Sequence, residues 1–185
     1  MTAATADAQI TDARHANDPS PGMPGGRAHP DAPKQVKDFE NMIGTCDCES
    51  VRRNPDQTWG DTTSLEWRFK YILNGMAVQD ETWNEKGSYA TSIRQFKPDS
   101  GYWVVSYYAS GWVATQPPVW LGGKEGDNIV LRRPQQAPGS GIPGFSELSF
   151  YDITESGFRW KSEWLDSAGT IVYPTWMINC SKRKD

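Results

Sequence analysis

The stretch Trp67-Arg68-Phe69-Lys70-Tyr71-Ile72-Leu73-Asn74-Gly75-Met76-Ala77-Val78-Gln79-Asp80-Glu81-Thr82-Trp83 decides how this chain folds. Asn74-Gly75 lies between two alternating runs. Asn-Gly is the strongest short hairpin signal, because both central positions of a type I′ turn need positive φ. A two-residue loop pairs Leu73 with Met76, then Tyr71 with Val78, Phe69 with Asp80 and Trp67 with Thr82. The opposite face pairs Ile72 with Ala77, Lys70 with Gln79, Arg68 with Glu81 and Glu66 with Trp83. The first face is almost entirely apolar, while the second sets opposite charges across from each other. The first is therefore expected to point inward.

Working outward from this hairpin, similar short strands recur to the C-terminus, separated by turn clusters such as Asn84-Glu85-Lys86-Gly87 and Lys97-Pro98-Asp99-Ser100-Gly101. Seven tryptophans (Trp67, Trp83, Trp103, Trp120, Trp160, Trp164, Trp176) fall in these strands. Val36, Phe39 and Met42 or Ile43 follow Pro33 at helical spacing and predict one short helix. A meander removes its exposed edges by closing on itself. The predicted fold is all-β: a closed antiparallel up-and-down barrel of about 8–10 strands with one short N-terminal helix.

Carrying the hairpin's parity forward places Tyr89, Thr91 and Ile93, then Trp103, Val105 and Tyr107, inside the barrel. Phe158, Trp160, Ser162 and Trp164 alternate with Arg159, Lys161, Glu163 and Leu165, so this group also faces in. Trp83, Tyr102 and Trp176 are left outside, where they could form a homodimer surface. Two connections, 109–118 and 134–145, are long and rich in Pro and Gly. They are expected to fold over the barrel mouth, because Trp112, Ile142 and Phe145 are costly to expose.

Composition narrows the function. Residues 1–32 hold too little apolar content to offset ordering entropy and are expected to form a disordered arm; the barrel domain spans 33–185. No apolar run reads as a secretory signal or a membrane span, so a cytoplasmic protein is expected. The net charge of -4 leaves no basic field for nucleic acid, and Lys182-Arg183-Lys184 reads as a solvated end. Cys46, Cys48 and Cys180 make an odd count with a C-x-C spacing, which argues against a disulfide framework and for buried free thiols. All three could approach one another if the first strand meets the last. Both histidines, His15 and His29, precede Pro33, so the barrel has no imidazole base, zinc ligand or haem ligand.

The order of motifs carries a resemblance. Phe39-x-x-x-Ile43-Gly44-Thr45 leads into the first strand and Leu73-Asn74-Gly75-Met76-Ala77-Val78 forms the hairpin. Ile93-Arg94-Gln95-Phe96, a Gly-Tyr-Trp strand start at Gly101 and a Phe158-Arg159-Trp160 strand follow, before an Asp-x-x-Gly turn and a final strand. This resembles the lipocalin-like (calycin-type) bacterial domains of unknown function over about Phe39 to Cys180. The resemblance implies an eight- to ten-stranded antiparallel barrel with an internal cavity. The chain departs from the wider pattern in placing Cys46 where a tryptophan follows Gly44-Thr45. It also lacks the histidine that haem-binding relatives need.

The expected chemistry is binding of a small hydrophobic or aromatic ligand by Trp67, Phe69, Tyr71, Tyr89, Trp103, Trp160 and Trp164. An alternative is a cofactor-independent cyclase, isomerase or lyase, with Asp80 and Tyr107 as acid and base. Arg68, Glu81 and Arg94 form a rival constellation that would line the cavity only if the register were inverted. No phosphate loop, nucleophile elbow or metal-ligand cluster is present in the sequence, and no cofactor or metal is expected.

Overall fold

The computed structural model describes residues 13–184. Ten antiparallel strands close into one barrel: β1 (Gly44–Arg52), β2 (Thr63–Ile72), β3 (Ala77–Asn84), β4 (Tyr89–Lys97), β5 (Tyr102–Ala109), β6 (Val119–Glu125), β7 (Asn128–Pro134), β8 (Gly144–Thr154), β9 (Gly157–Asp166) and β10 (Val172–Lys182). Neighbours in sequence are neighbours in the sheet, and β1 pairs with β10 to complete the ring. The predicted fold class is the observed one.

The β2–β3 register is the expected one: Trp67 faces Thr82, Phe69 faces Asp80 and Tyr71 faces Val78. Asn74 and Gly75 have φ of 53° and 83°, and the Met76 amide donates to the Leu73 carbonyl across the turn. Between the outward charges of β2 and those of β3, the ion pair that forms is the diagonal one, Lys70 to Glu81 at 2.8 Å.

Beyond this hairpin the expected parity fails once and recovers. Trp83 pairs with Tyr89 rather than with Ser88, so Ala90, Ser92 and Arg94 face inward while Tyr89, Thr91 and Ile93 do not. The cause is local. The Asn84 side-chain carbonyl accepts from the amides of Lys86 and Ser88, which draws Ser88 into the turn. The next connection is one residue shorter than read, because Lys97 rather than Phe96 pairs with Tyr102. The two shifts cancel, and Trp103, Val105 and Tyr107 face inward as expected.

One end of the barrel is plugged. Pro33 leads into a 3-10 helix, Lys34–Met42, whose Val36, Phe39 and Met42 are fully buried. Their spacing of three matches the three residues per turn of a 3-10 helix, so they line up along one edge. Phe39 meets Trp103 and Phe150 edge-on at 5.0 and 6.0 Å, and Trp103 Nε1 donates to Asp38 at 3.1 Å. Phe69, Phe150 and Phe158 pack around them.

Residues 13–32, expected as part of a disordered arm, instead run along the closed end with defined contacts; residues 1–12 lie outside the described residues. The Asn17 amides donate to the Asn74 side chain, the Asn74 amide donates to Asp18, and the Tyr71 amide donates to the Gly25 carbonyl. Gly75 is required here for a second reason, since a Cβ would lie 2.3 Å from the Arg27 carbonyl oxygen. Polar pairing with a turn supplied the ordering that apolar content did not.

The cysteine expectation is corrected. Cys48 and Cys180 face each other across the β1–β10 seam and form a disulfide, while Cys46 is a buried free thiol. Closure of the barrel places them opposite, and an odd count in the sequence does not exclude one pair. Outside the same seam, Arg183 is paired with Asp47 and Glu66. Among the described residues no helix is long and apolar enough to cross a membrane.

Burial near the closed end predicts an alkaline weakness. It pushes the Cys46 thiol from 9.0 up to about 11, and the Tyr71 hydroxyl from 10.0 up to about 12 with the Glu40 charge reinforcing the shift. Both groups hold their protons more tightly folded than unfolded, so stability is full below pH 9 and falls as pH rises through these windows. Each contributes a loss of about 3 kcal/mol. Urea midpoints are expected to drop between pH 8 and 10.5, with the drop delayed in Cys46→Ala and reduced in Tyr71→Phe. Midpoints unchanged to pH 10.5 would contradict this.

Candidate functional site

Above the phenylalanine cluster the barrel is hollow. A cavity of about 280 Å³ opens between Trp67, Asp80, Arg94 and Phe150 below and Arg52, Tyr107, Trp120, Trp160 and Trp176 around it. Trp67 marks the boundary. Its ring lies 5.4 Å from both Phe69 and Phe158 in the filled half and 5.8 Å from Trp160 at the cavity wall.

Asp80 sits on the cavity floor and is fully engaged. Its Oδ1 accepts from the Ser92 amide at 2.6 Å, and Oδ2 accepts from Trp67 Nε1 and Arg94 Nη2, both at 2.8 Å. Asp80 and Arg94 are almost completely buried, and their ion pair lies among the rings of Phe39, Phe69 and Phe150. An unpaired carboxylate in an apolar setting, the arrangement that favours a proton carrier, is not what stands here. The rival constellation is split: Arg94 faces in beside Asp80, while Arg68 and Glu81 remain on the outer face. Ordinary β3–β4 pairing brings Arg94 inside without any inversion of the hairpin.

Tyr107 lines the upper wall and meets Trp120 edge-on at 6.4 Å. Burial raises its pKa above the ordinary value; the Arg52 charge opposes that rise and the Asp80 charge adds to it. The hydroxyl therefore keeps its proton at neutral pH and stands available as a donor.

The expected ligand residues sort into four groups. Trp67 and Trp160 line the cavity. Phe69, Tyr71 and Trp103 are buried in the filled half, where they pack and do not reach the hollow. Tyr89 is on the outer face and 57% exposed, a consequence of the Ser88 shift. Trp164 faces inward at the rim, its Nε1 donating to the Gln135 carbonyl. Its ring takes the space opposite Gly144, where a Cβ would lie 2.6 Å from it.

Trp176 is the clearest addition. Expected outside, it faces in, because a bulge between Pro174 and Trp176 resets β10 so that Trp176 pairs with Ser162 and Arg52. Its ring meets Trp160 at 4.9 Å, its Nε1 donates to Ser50 Oγ at 2.8 Å, and the Arg52 guanidinium lies 3.6 Å above it. The surface read from Trp83, Tyr102 and Trp176 thus loses a member, though Trp83 is outward and 41% exposed. A proline inside an alternating strand was the available signal for that bulge.

The two long connections do not bury their apolar side chains. Trp112 is 52% and Val113 94% exposed, and Ile142 is also exposed. Phe145 belongs to β8 rather than to the loop. The second connection is tied to the rim through Gln135 and through Ser167 Oγ, which donates to the Pro143 carbonyl.

No family model and no curated protein matches the chain. Among solved structures, the fold is similar to that of the S-type phycobiliprotein lyase CPES from Guillardia theta, at 11% identity and a TM-score of 0.51, over 80% of this chain and 91% of that one. At this identity the likeness establishes architecture alone. The chain is a closed ten-stranded antiparallel barrel with a structural neighbour of lipocalin-like fold.

Proposed function

We propose that the barrel binds a small hydrophobic or aromatic molecule in the hollow half. The observation that carries this reading is an open, indole-walled space above a solid core. Trp67, Trp120, Trp160 and Trp176 surround it, and a few polar groups converge on it, which is the usual composition of a ligand pocket. A barrel that served only as a packed core would have filled this half as it fills the other.

A second reading, a cofactor-independent lyase or isomerase on the same cavity, draws support from Tyr107, whose buried hydroxyl retains its proton and faces the hollow. The similar structure is a lyase by name, which is compatible with chemistry on this architecture. Asp80 contributes to this reading as the group that holds Arg94 and Trp67 in place.

Titration with 2-naphthol, followed by tryptophan fluorescence and calorimetry, tests the pocket. The wild type is expected to saturate. Ser162→Phe, which places a ring into the cavity from β9, is expected to weaken binding about ten-fold or more, the loss of about 1.4 kcal/mol of pocket contact. Equal affinity in both proteins, or no saturable binding of aromatic or fatty probes, would reject the reading.

A further inference from the structure

The cavity holds more positive charge than its own carboxylate can balance. Of the charged residues lining it, Arg52 and Arg94 are cationic and Asp80 alone is anionic. Asp80 is committed to Arg94 at 2.8 Å in the floor. Arg52 then has no carboxylate partner among the described residues.

The setting of Arg52 makes that imbalance specific. Its guanidinium lies 3.6 Å over the Trp176 ring, and stacking on a face leaves the in-plane N–H donors unspent. Arg52 stands at the open end of β1 and is still exposed to solvent, and the part of its side chain that is covered pulls its pKa below the ordinary value. Tyr107 is close enough to feel the Arg52 charge, and its hydroxyl has no hydrogen-bond partner among the described residues. Deeper in, Arg94 Nε is buried and also has no partner.

A neutral apolar ligand entering this space strips water from Arg52 and returns nothing, a costly exchange for a charged group. A carboxylate restores the lost bonds with charge-assisted ones, and a guanidinium fork matches it in two parallel contacts. The chain's net charge of -4 gives no long-range attraction for anions, so any preference must be local to the cavity. Size sets the other limit. A volume of about 280 Å³ equals that of about nine liquid waters, which suits a molecule of one or two rings.

We propose that the ligand is an aromatic carboxylic acid of one or two rings, with its carboxylate held by Arg52 and the Tyr107 hydroxyl and its ring among Trp120, Trp160 and Trp176. This assignment deepens the binding reading above and rests on it.

Calorimetry with 2-naphthoate and its neutral isostere 2-naphthamide separates the two. The wild type is expected to bind naphthoate about ten-fold or more tightly than naphthamide, as one charge-assisted pair requires. Arg52→Gln is expected to abolish that difference while keeping naphthamide affinity within a factor of about three. Tyr107→Phe should reduce the preference without removing it. If both probes bind the wild type equally, or the preference survives in Arg52→Gln, the charge assignment is wrong and the pocket reading stands. If neither probe binds while 2-naphthol does, the charge assignment falls and the pocket reading stands; if no aromatic or fatty probe binds, both readings fall. Naphthamide affinity that collapses in Arg52→Gln would show a loss of cavity shape, and would also overturn the assigned role.

Discussion

Replacing Asp80 by alanine is expected to lower the free energy of unfolding by about 3–5 kcal/mol, because it leaves a buried guanidinium without its counter-charge. Arg94 lies among three phenylalanine rings, and its Nη2 finds only the Asp80 carboxylate. The same substitution strands Trp67 Nε1 and the Ser92 amide, both of which donate to Asp80. Pairing it with Arg94→Met removes the uncompensated charge. The double variant is therefore expected to regain part of the loss, since apolar replacement of a buried ion pair is often nearly neutral. Urea unfolding of the wild type, both single variants and the double variant gives the coupling directly. An Asp80→Ala cost below about 1 kcal/mol would contradict a buried, committed pair.

Loss of the Cys48–Cys180 disulfide should be comparably severe. The bond joins residues 132 positions apart, and a loop of that length corresponds to about 5 kcal/mol of denatured-state entropy. For a chain of this size such a loss is expected to lower Tm by about 10–20 °C. Thermal unfolding with and without reductant, compared with the Cys48→Ala/Cys180→Ala protein, measures it. The variant should match the reduced wild type and ignore reductant. A wild-type shift under about 2 °C would show that the seam is held by its strand pairing alone.

Legibility of this fold tracked how local the determining interactions are. The β2–β3 register could be read because Asn74-Gly75 admits one turn geometry and alternation then fixes both faces. The β3–β4 register could not, because it depends on Asn84 capping two amides beyond it, and an Asn in a turn cluster does not announce how many residues it will gather. Tyr89 was read as inward and Arg94 as outward for this single reason. The inward direction of Trp67, Trp160 and Asp80 could be read by parity. That of Trp176 and Arg52 could not, because it follows from a bulge and from closure of the last strand on the first. Residues 13–32 escaped because their order comes from hydrogen bonds to the Asn74 turn, which hydrophobic content does not reveal.

The 3-10 plug has a kinetic corollary. With Phe39, Met42 and the phenylalanine layer stopping one end, the barrel is a blind tube, not a conduit. Any guest must leave by the door it entered, and the doorway is where Arg52 and Trp176 stand. Among the described residues that leaves one opening, at which a bound molecule would be held or presented rather than passed through the barrel.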